Sequence, residues 1–148
     1  MQPNIRRAEP LDAEALLSLI CEHAQFEKEP FDPTNKLDGL RAALGTKNAP
    51  FSCLVFENEN GIQGYCSYMP QFDSWYCEFY MFVDALYLRE SLRGASIGSE
   101  LMARVLAEGK AANCTSLRVM TPAENKRASN FYTKIGGSST LKLWFTIQ

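Results

Sequence analysis

Arg93-Gly94-Ala95-Ser96-Ile97-Gly98-Ser99 joins two segments of different periodicity. Before it, residues 79–88 form an apolar, strand-like run; after it, Leu101, Met102, Val105 and Leu106 recur on one helical face. A strand, a short basic loop with glycines and a helix start together make an anion site. The loop amides and the unpaired N–H groups of the first helical turn point at one spot, where the helix dipole adds partial positive charge. Glycine lets the backbone approach a phosphate closely, and Arg93 adds a formal charge. For such a loop taken alone, the competing reading is a plain βα turn with no ligand.

Outward from the loop, the remaining segments read as alternating strands and helices. Residues 5–8 are a short strand closed by Pro10, and Asp12 caps a helix whose Leu16, Leu19, Ile20, His23 and Phe26 recur at helical spacing. Pro30 and Pro33 break the chain before a second helical segment, near 37–44, that Gly45 ends. Residues 51–56 read as a buried strand, Asn58-Glu59-Asn60-Gly61 as a tight turn, and 62–68 as the returning strand. Residues 75–88 form a long aromatic-rich strand antiparallel to that hairpin. The helix after the loop runs to about 112, and 116–120 is a further strand. Ala128, Phe131, Tyr132 and Ile135 mark a last helix, stopped by Gly136-Gly137, and 141–147 reads as a closing strand. Thr121-Pro122-Ala123-Glu124 has the form of a capping box; Asn125 is the alternative cap, preferred because the apolar stripe begins only at Ala128. The expected architecture is one mixed α/β domain over residues 1–148.

Composition narrows the function classes. Apolar content of 46% and charged content of 22% are those of a globular protein with a real core. No apolar run approaches the ~20 residues of a membrane span, and an N-terminus with Pro3, Arg6 and Arg7 does not read as a signal peptide. A formal charge of −2 without a basic block argues against a nucleic-acid surface. Cys21, Cys53, Cys66, Cys77 and Cys114 form no C-x-x-C pair, so they read as scattered thiols in a reducing cytoplasm, not as a metal site or disulfide frame.

The element order, R-G-x-S-I-G between a long strand and a helix, and N-x-x-x-x-x-F-Y-x-x-x-G downstream resemble the GNAT superfamily of N-acetyltransferases. Leu19-Ile20-Cys21-Glu22-His23-Ala24-Gln25-Phe26-Glu27, Phe51-Ser52-Cys53-Leu54-Val55, Ile97-Gly98-Ser99-Glu100-Leu101 and Asn130-Phe131-Tyr132 bring it nearest to the diamine (spermidine/spermine) acetyltransferase branch. That branch also includes enzymes for other small amines such as thialysine.

The resemblance implies the GNAT fold, a central, mostly antiparallel sheet with flanking helices, and acetyl-CoA as donor. Its pyrophosphate would sit on the amides of Gly94, Ala95, Ser96, Ile97, Gly98 and Ser99 beside Arg93, and its pantetheine arm on the backbone of Leu86, Tyr87 and Leu88. Asn125, Lys126, Arg127 and Ala128 match a second CoA-contacting stretch. Ser96 stands where the family usually has glycine; serine keeps its N–H there provided its φ stays negative.

Amide formation requires that an ammonium lose a proton, the thioester carbonyl be polarised and the leaving thiolate be neutralised. By the resemblance, Tyr132 is the general acid near the sulfur, although as a side chain on the Ala128–Phe131–Ile135 stripe it also reads as packing. Asp84 matches the acid that takes up the amine and its proton; aspartate is one methylene shorter than the family's glutamate, so either a water spans the difference or the amine sits deeper and meets the carboxylate directly. Strand parity places Asp84 on the face of Leu86 and Leu88. Phe26 and Glu27 match positions that contact the cationic substrate, and Arg118, Val119 and Met120 match others that touch it. The family's acidic segment near the C-terminus is replaced by Gly137-Ser138-Ser139-Thr140, which favours a shorter amine or an amino acid over a long polyamine. His23, the sole histidine, reads as packing or rim, and no cysteine has an adjacent histidine to support an acyl-cysteine route. The resemblance further implies a homodimer. Acetylation of a protein lysine or N-terminus, and acyl-CoA binding without turnover, are the other readings.

Overall fold

A computed structural model describes residues 4–148, so Pro3 lies outside the described residues. Five strands, β1 (Asn4–Arg7), β2 (Ser52–Asn58), β3 (Gly61–Asp73), β4 (Glu78–Leu88) and β5 (Cys114–Val119), form one sheet in sequence order. The first three pairings are antiparallel and β4–β5 is parallel. The helices are α1 (Ala13–Glu27), α2 (Leu37–Gly45), α3 (Ile97–Ala111) and α4 (Lys126–Lys134). α3 is the crossover that the parallel β4–β5 pair requires.

Each sheet face buries its own apolar set. On one, Leu54, Phe56, Cys66, Tyr68, Met81 and Val83 pack with Ile97, Leu101, Met102 and Val105 of α3, and Phe131 and Tyr132 of α4 lie against them. On the other, Cys53, Val55, Ile62 and Tyr65 pack with Leu16 and Leu19 of α1, with Leu40 and Leu44 of α2 against them. The expected mixed α/β, mostly antiparallel architecture is the one observed.

Several local expectations are corrected. Asp12 does not cap α1: its carboxylate is held by Arg6 at 2.7 and 2.9 Å and accepts the Glu9 N–H at 2.7 Å, closing a 3-10 turn at Pro10–Asp12. The hairpin return does not stop at 68; β3 runs on to Asp73, whose carboxylate accepts the N–H groups of Trp75 and Tyr76 and makes the turn there. Leu106 is 40% exposed. The buried stripe of α3 passes instead to Gly109, where an added Cβ would already touch Met81 and Cys114. Residues 138–148 form no strand, and Leu141, Leu143, Trp144, Phe145 and Ile147 are exposed. Period-two alternation shows that a segment suits a ladder; only a paired edge makes it a strand. Asn125 is the cap of α4, its side chain accepting from the Ala128 N–H at 3.1 Å.

Candidate active site

The site is organised by an irregularity in β4. Ser67 pairs with Ala85 and Tyr68 with Val83, so Asp84 is an extra residue without a cross-strand partner, a β-bulge. The bulge changes which residues face which layer. Met81 and Val83 belong to the α3 core, but so do Leu86 and Leu88, whereas Ala85 and Tyr87 pack on the α1 side. Asp84 therefore does not share a face with Leu86 and Leu88, as alternation predicts; the bulge turns it toward Ala85. There it is exposed and accepts a hydrogen bond from the Ser67 hydroxyl at 3.3 Å. It lines a cavity of about 260 Å³ whose other walls include Leu16, Ile20, Leu40, Phe51, Tyr65 and Ser67.

Beyond the bulge, β4 loses one neighbour. Its pairing with β5 ends at Val83–Val119, while pairing with β3 continues to Gly64–Leu88. Among the described residues, the β5-facing backbone groups of 84–88 thus have no strand partner, and Leu86, Tyr87 and Leu88 lie on that open edge. Gly64 is needed behind it: an added Cβ would lie 2.8 Å from the Tyr87 carbonyl oxygen and meet the Leu88 side chain.

The loop follows directly. Gly94 has φ 91° and Ser96 has φ 62°, both left-handed. The condition of a negative φ at Ser96 is not met: this turn into α3 uses the left-handed region, which glycine enters freely and serine at a cost. No side chain caps α3; the Ser96 hydroxyl donates to the Ala95 carbonyl instead. The first-turn amides at Ile97, Gly98 and Ser99 thus receive no side-chain cap. Arg93 points inward, its Nε donating to the Leu88 carbonyl at 2.8 Å and its guanidinium lying 4.3 Å from the centre of the Phe26 ring. Lys126 and Arg127 are exposed at the start of α4, beyond the Asn125 cap.

Tyr132 is on the α3/α4 side, edge-on to Phe131, and burial drives its hydroxyl pKa well above the ordinary value, with Cys66 and Glu27 adding to the rise. Glu27 caps the other side: its Oε1 lies 3.3 Å from Nε2 of His23. His23 Nδ1 meets the Tyr65 hydroxyl at 2.8 Å, and its ring stacks on Tyr87. Arg118 is committed elsewhere, to Asp73 at 2.8 Å and over the Tyr80 ring. Val119 is the last β5 residue paired with β4 and packs on the core, while Met120 is exposed. Burial pushes the Cys66 thiol up to about 12 and Cys53 higher still, so neither supplies a thiolate.

Sequence reasoning passed over Ser67, Tyr65 and the Glu22–Arg89 pair, whose 2.7 Å contact ties α1 to the end of β4. Tyr65 and Ser67 share a face of β3 by simple alternation, a signal that becomes useful only once the bulge brings Asp84 to the same face.

A strand opened at a bulge leads into an uncapped helix start, beside a cavity lined by one carboxylate, Asp84. Residues 14–137 match the Acetyltransferase (GNAT) family, and the chain belongs to that family as an acetyl-CoA-dependent N-acetyltransferase. It is 29% identical over 141 residues to a thialysine N-epsilon-acetyltransferase of Bos taurus, covering 89% of this chain and 82% of that one. It is 25% identical over 132 residues to a D-amino-acid N-acetyltransferase of Saccharomyces cerevisiae, covering 88% and 82%. Among solved structures, an aminoglycoside N-acetyltransferase, AAC(6')-Iy, in complex with CoA shares the fold with a TM-score of 0.81 at 15% identity, over 99% of this chain and 97% of that one.

Proposed function

We propose that the chain transfers the acetyl group of acetyl-CoA to the primary amine of a small molecule by direct attack, in the manner of the diamine branch. Its acceptor would be a short amine or amino acid of the thialysine kind. The observation that carries this reading is the Asp84 carboxylate, lifted out of the ladder beside Ser67 into a largely apolar cavity that opens next to the unpaired edge of β4. An apolar chamber with one carboxylate suits an amine on a short aliphatic body; a long polyamine would find few further anions there.

Amides of the 93–99 loop and the first turn of α3 would hold the pyrophosphate, with Lys126 and Arg127 available to the nucleotide phosphates. The open edge at Leu86, Tyr87 and Leu88 would pair with the pantetheine amides. Asp84, through a water, accepts the proton that the ammonium must lose before its nitrogen attacks the thioester carbon. As the carbon–sulfur bond breaks, Tyr132 donates a hydrogen bond to the departing sulfur. So firmly protonated a phenol stabilises thiolate chiefly in this way, and the sulfur becomes CoA thiol by taking up the second proton, which the attacking nitrogen gives up as the amide forms. Glu27 and Phe26 would meet the cationic end of the acceptor. The proposal includes a cytoplasmic enzyme of one domain and a homodimer, which the exposed apolar residues of 141–147 support; sedimentation tests the latter.

A free-thiol assay over thialysine, amino acids, diamines, polyamines, aminoglycosides and lysine peptides tests the assignment. Turnover confined to short amines is the expected result. A strong preference for peptides moves the activity to protein acetylation, and tight acetyl-CoA binding with no turnover on any amine refutes the enzymatic reading of the site.

A further inference from the structure

His23 is the chain's one histidine, and it lies between two polar partners, Tyr65 and Glu27. Its Nε2 faces the Glu27 carboxylate, which can only accept; the proton of the neutral ring is therefore on Nε2. Nδ1 is then bare and accepts from the Tyr65 hydroxyl, a group that burial keeps protonated. Tyr65 in turn lines the cavity beside Asp84. The ring is held in place by stacking on Tyr87 at 5.1 Å. One fixed tautomer thus links Tyr65, on the cavity wall, to the Glu27 carboxylate.

We propose that His23 is a positioning residue that gates the acceptor amine: neutral, it presents the Glu27 carboxylate to the ammonium, and protonated, it neutralises that carboxylate and weakens amine binding. This rests on the reading of Glu27 as the ammonium contact. The groups that face the ring are Glu27 from α1, Tyr65 from β3, Tyr87 and Asp84 from β4, and Arg93 from the loop before α3. Burial is the main influence and lowers the imidazole pKa, Arg93 acts in the same direction, and Glu27 and Asp84 oppose them. The ring is consequently neutral at pH 7, and the gate closes only in acid. With Nε2–H occupying one carboxylate oxygen, the other oxygen and the full negative charge remain for the amine. Once Nδ1 is protonated it must donate to Tyr65, and the imidazolium–carboxylate pair carries no net charge to attract an ammonium.

The test uses the full-length enzyme with thialysine as acceptor. The KM for thialysine should rise about fivefold to tenfold as pH falls through the His23 midpoint, below about 6.5, with kcat and the KM for acetyl-CoA unchanged. His23→Gln, neutral and still a donor, should keep the alkaline KM and lose the acid rise, whereas His23→Leu should raise KM severalfold at every pH. An acid rise with the same midpoint in His23→Gln overturns the proposal. Ring nitrogen resonances of the sole histidine give a second readout that needs no turnover. They should report the Nε2–H tautomer, a midpoint that falls in Glu27→Gln, and one that falls when thialysine binds. An Nδ1–H tautomer, or a midpoint indifferent to both changes, also overturns it. If no amine is acetylated, the enzymatic reading fails by itself while these resonances still decide the role of His23.

Discussion

Ser96 offers a quantitative test of the donor loop. Its φ of 62° is imposed by the turn into α3, and a left-handed L-residue costs roughly 1–2 kcal/mol. Ser96→Gly removes that cost but gives the unfolded chain back conformational entropy worth about 0.4–1 kcal/mol. The exposed 2.6 Å hydroxyl contact to the Ala95 carbonyl contributes little to the difference. A net gain of about 0.5–1 kcal/mol is expected, with acetyl-CoA affinity within about threefold of the parent because the amide directions do not change. Ser96→Ala keeps the backbone cost and should be near neutral. Ser96→Val puts a β-branched side chain where φ is positive and should lose at least ~1 kcal/mol and more than tenfold in acetyl-CoA affinity. Urea unfolding and calorimetric titration with acetyl-CoA measure both quantities. A Gly variant less stable than the parent, or a Val variant equal to it in both assays, would refute the claim that the left-handed turn forms the anion cradle.

Other expectations concern the strand edge, the acid and a distant ion pair. Tyr132→Phe should lower kcat by about a hundredfold in the thiol-release assay while leaving acetyl-CoA affinity within twofold; a kcat within threefold of the parent removes Tyr132 from the chemistry. Gly64→Ala drives a methyl to 2.8 Å from the Tyr87 carbonyl oxygen, so urea unfolding should show a loss of about 1–3 kcal/mol, with weaker acetyl-CoA binding as the edge shifts. Asp12, held by both guanidinium nitrogens of Arg6, has its carboxyl pKa depressed. Its stabilisation is complete above the unfolded value near 4 and disappears as pH falls through the folded value. Asp12→Asn should therefore cost about 1–2 kcal/mol at pH 7, and the difference from the parent should close in acid, as urea midpoints across pH would show.

The place of the loop between strand and helix, the order of elements as far as the last helix and the Asn125 cap were legible because each rests on local chemistry: glycine and serine at a turn, periodic apolar residues, a side chain that reaches its own helix start. The face on which Asp84 lies was not legible. Nothing in Val83-Asp84-Ala85 marks a bulge, since the extra residue is set by pairing with Ser67 and Tyr68 on another strand. The same is true of His23, whose helical stripe reads as packing until Tyr65 and Glu27 are placed on either side of it. The 141–147 segment shows the converse: its apolar, aromatic composition suits a strand, but the sheet of this chain gives it no pairing.

The bulge also separates what the core requires from what the site requires. Without residue 84, Val83 would still face α3, Ala85 α1, Leu86 α3, Tyr87 α1 and Leu88 α3. The two halves of β4 are each in phase with the layers they pack against, and the extra residue is accommodated outside that count. A chain one residue shorter at this point would bury the same apolar side chains and lose its carboxylate. The packing thus leaves the identity of residue 84 free, and the Ser67 hydroxyl is the side-chain contact its carboxylate makes.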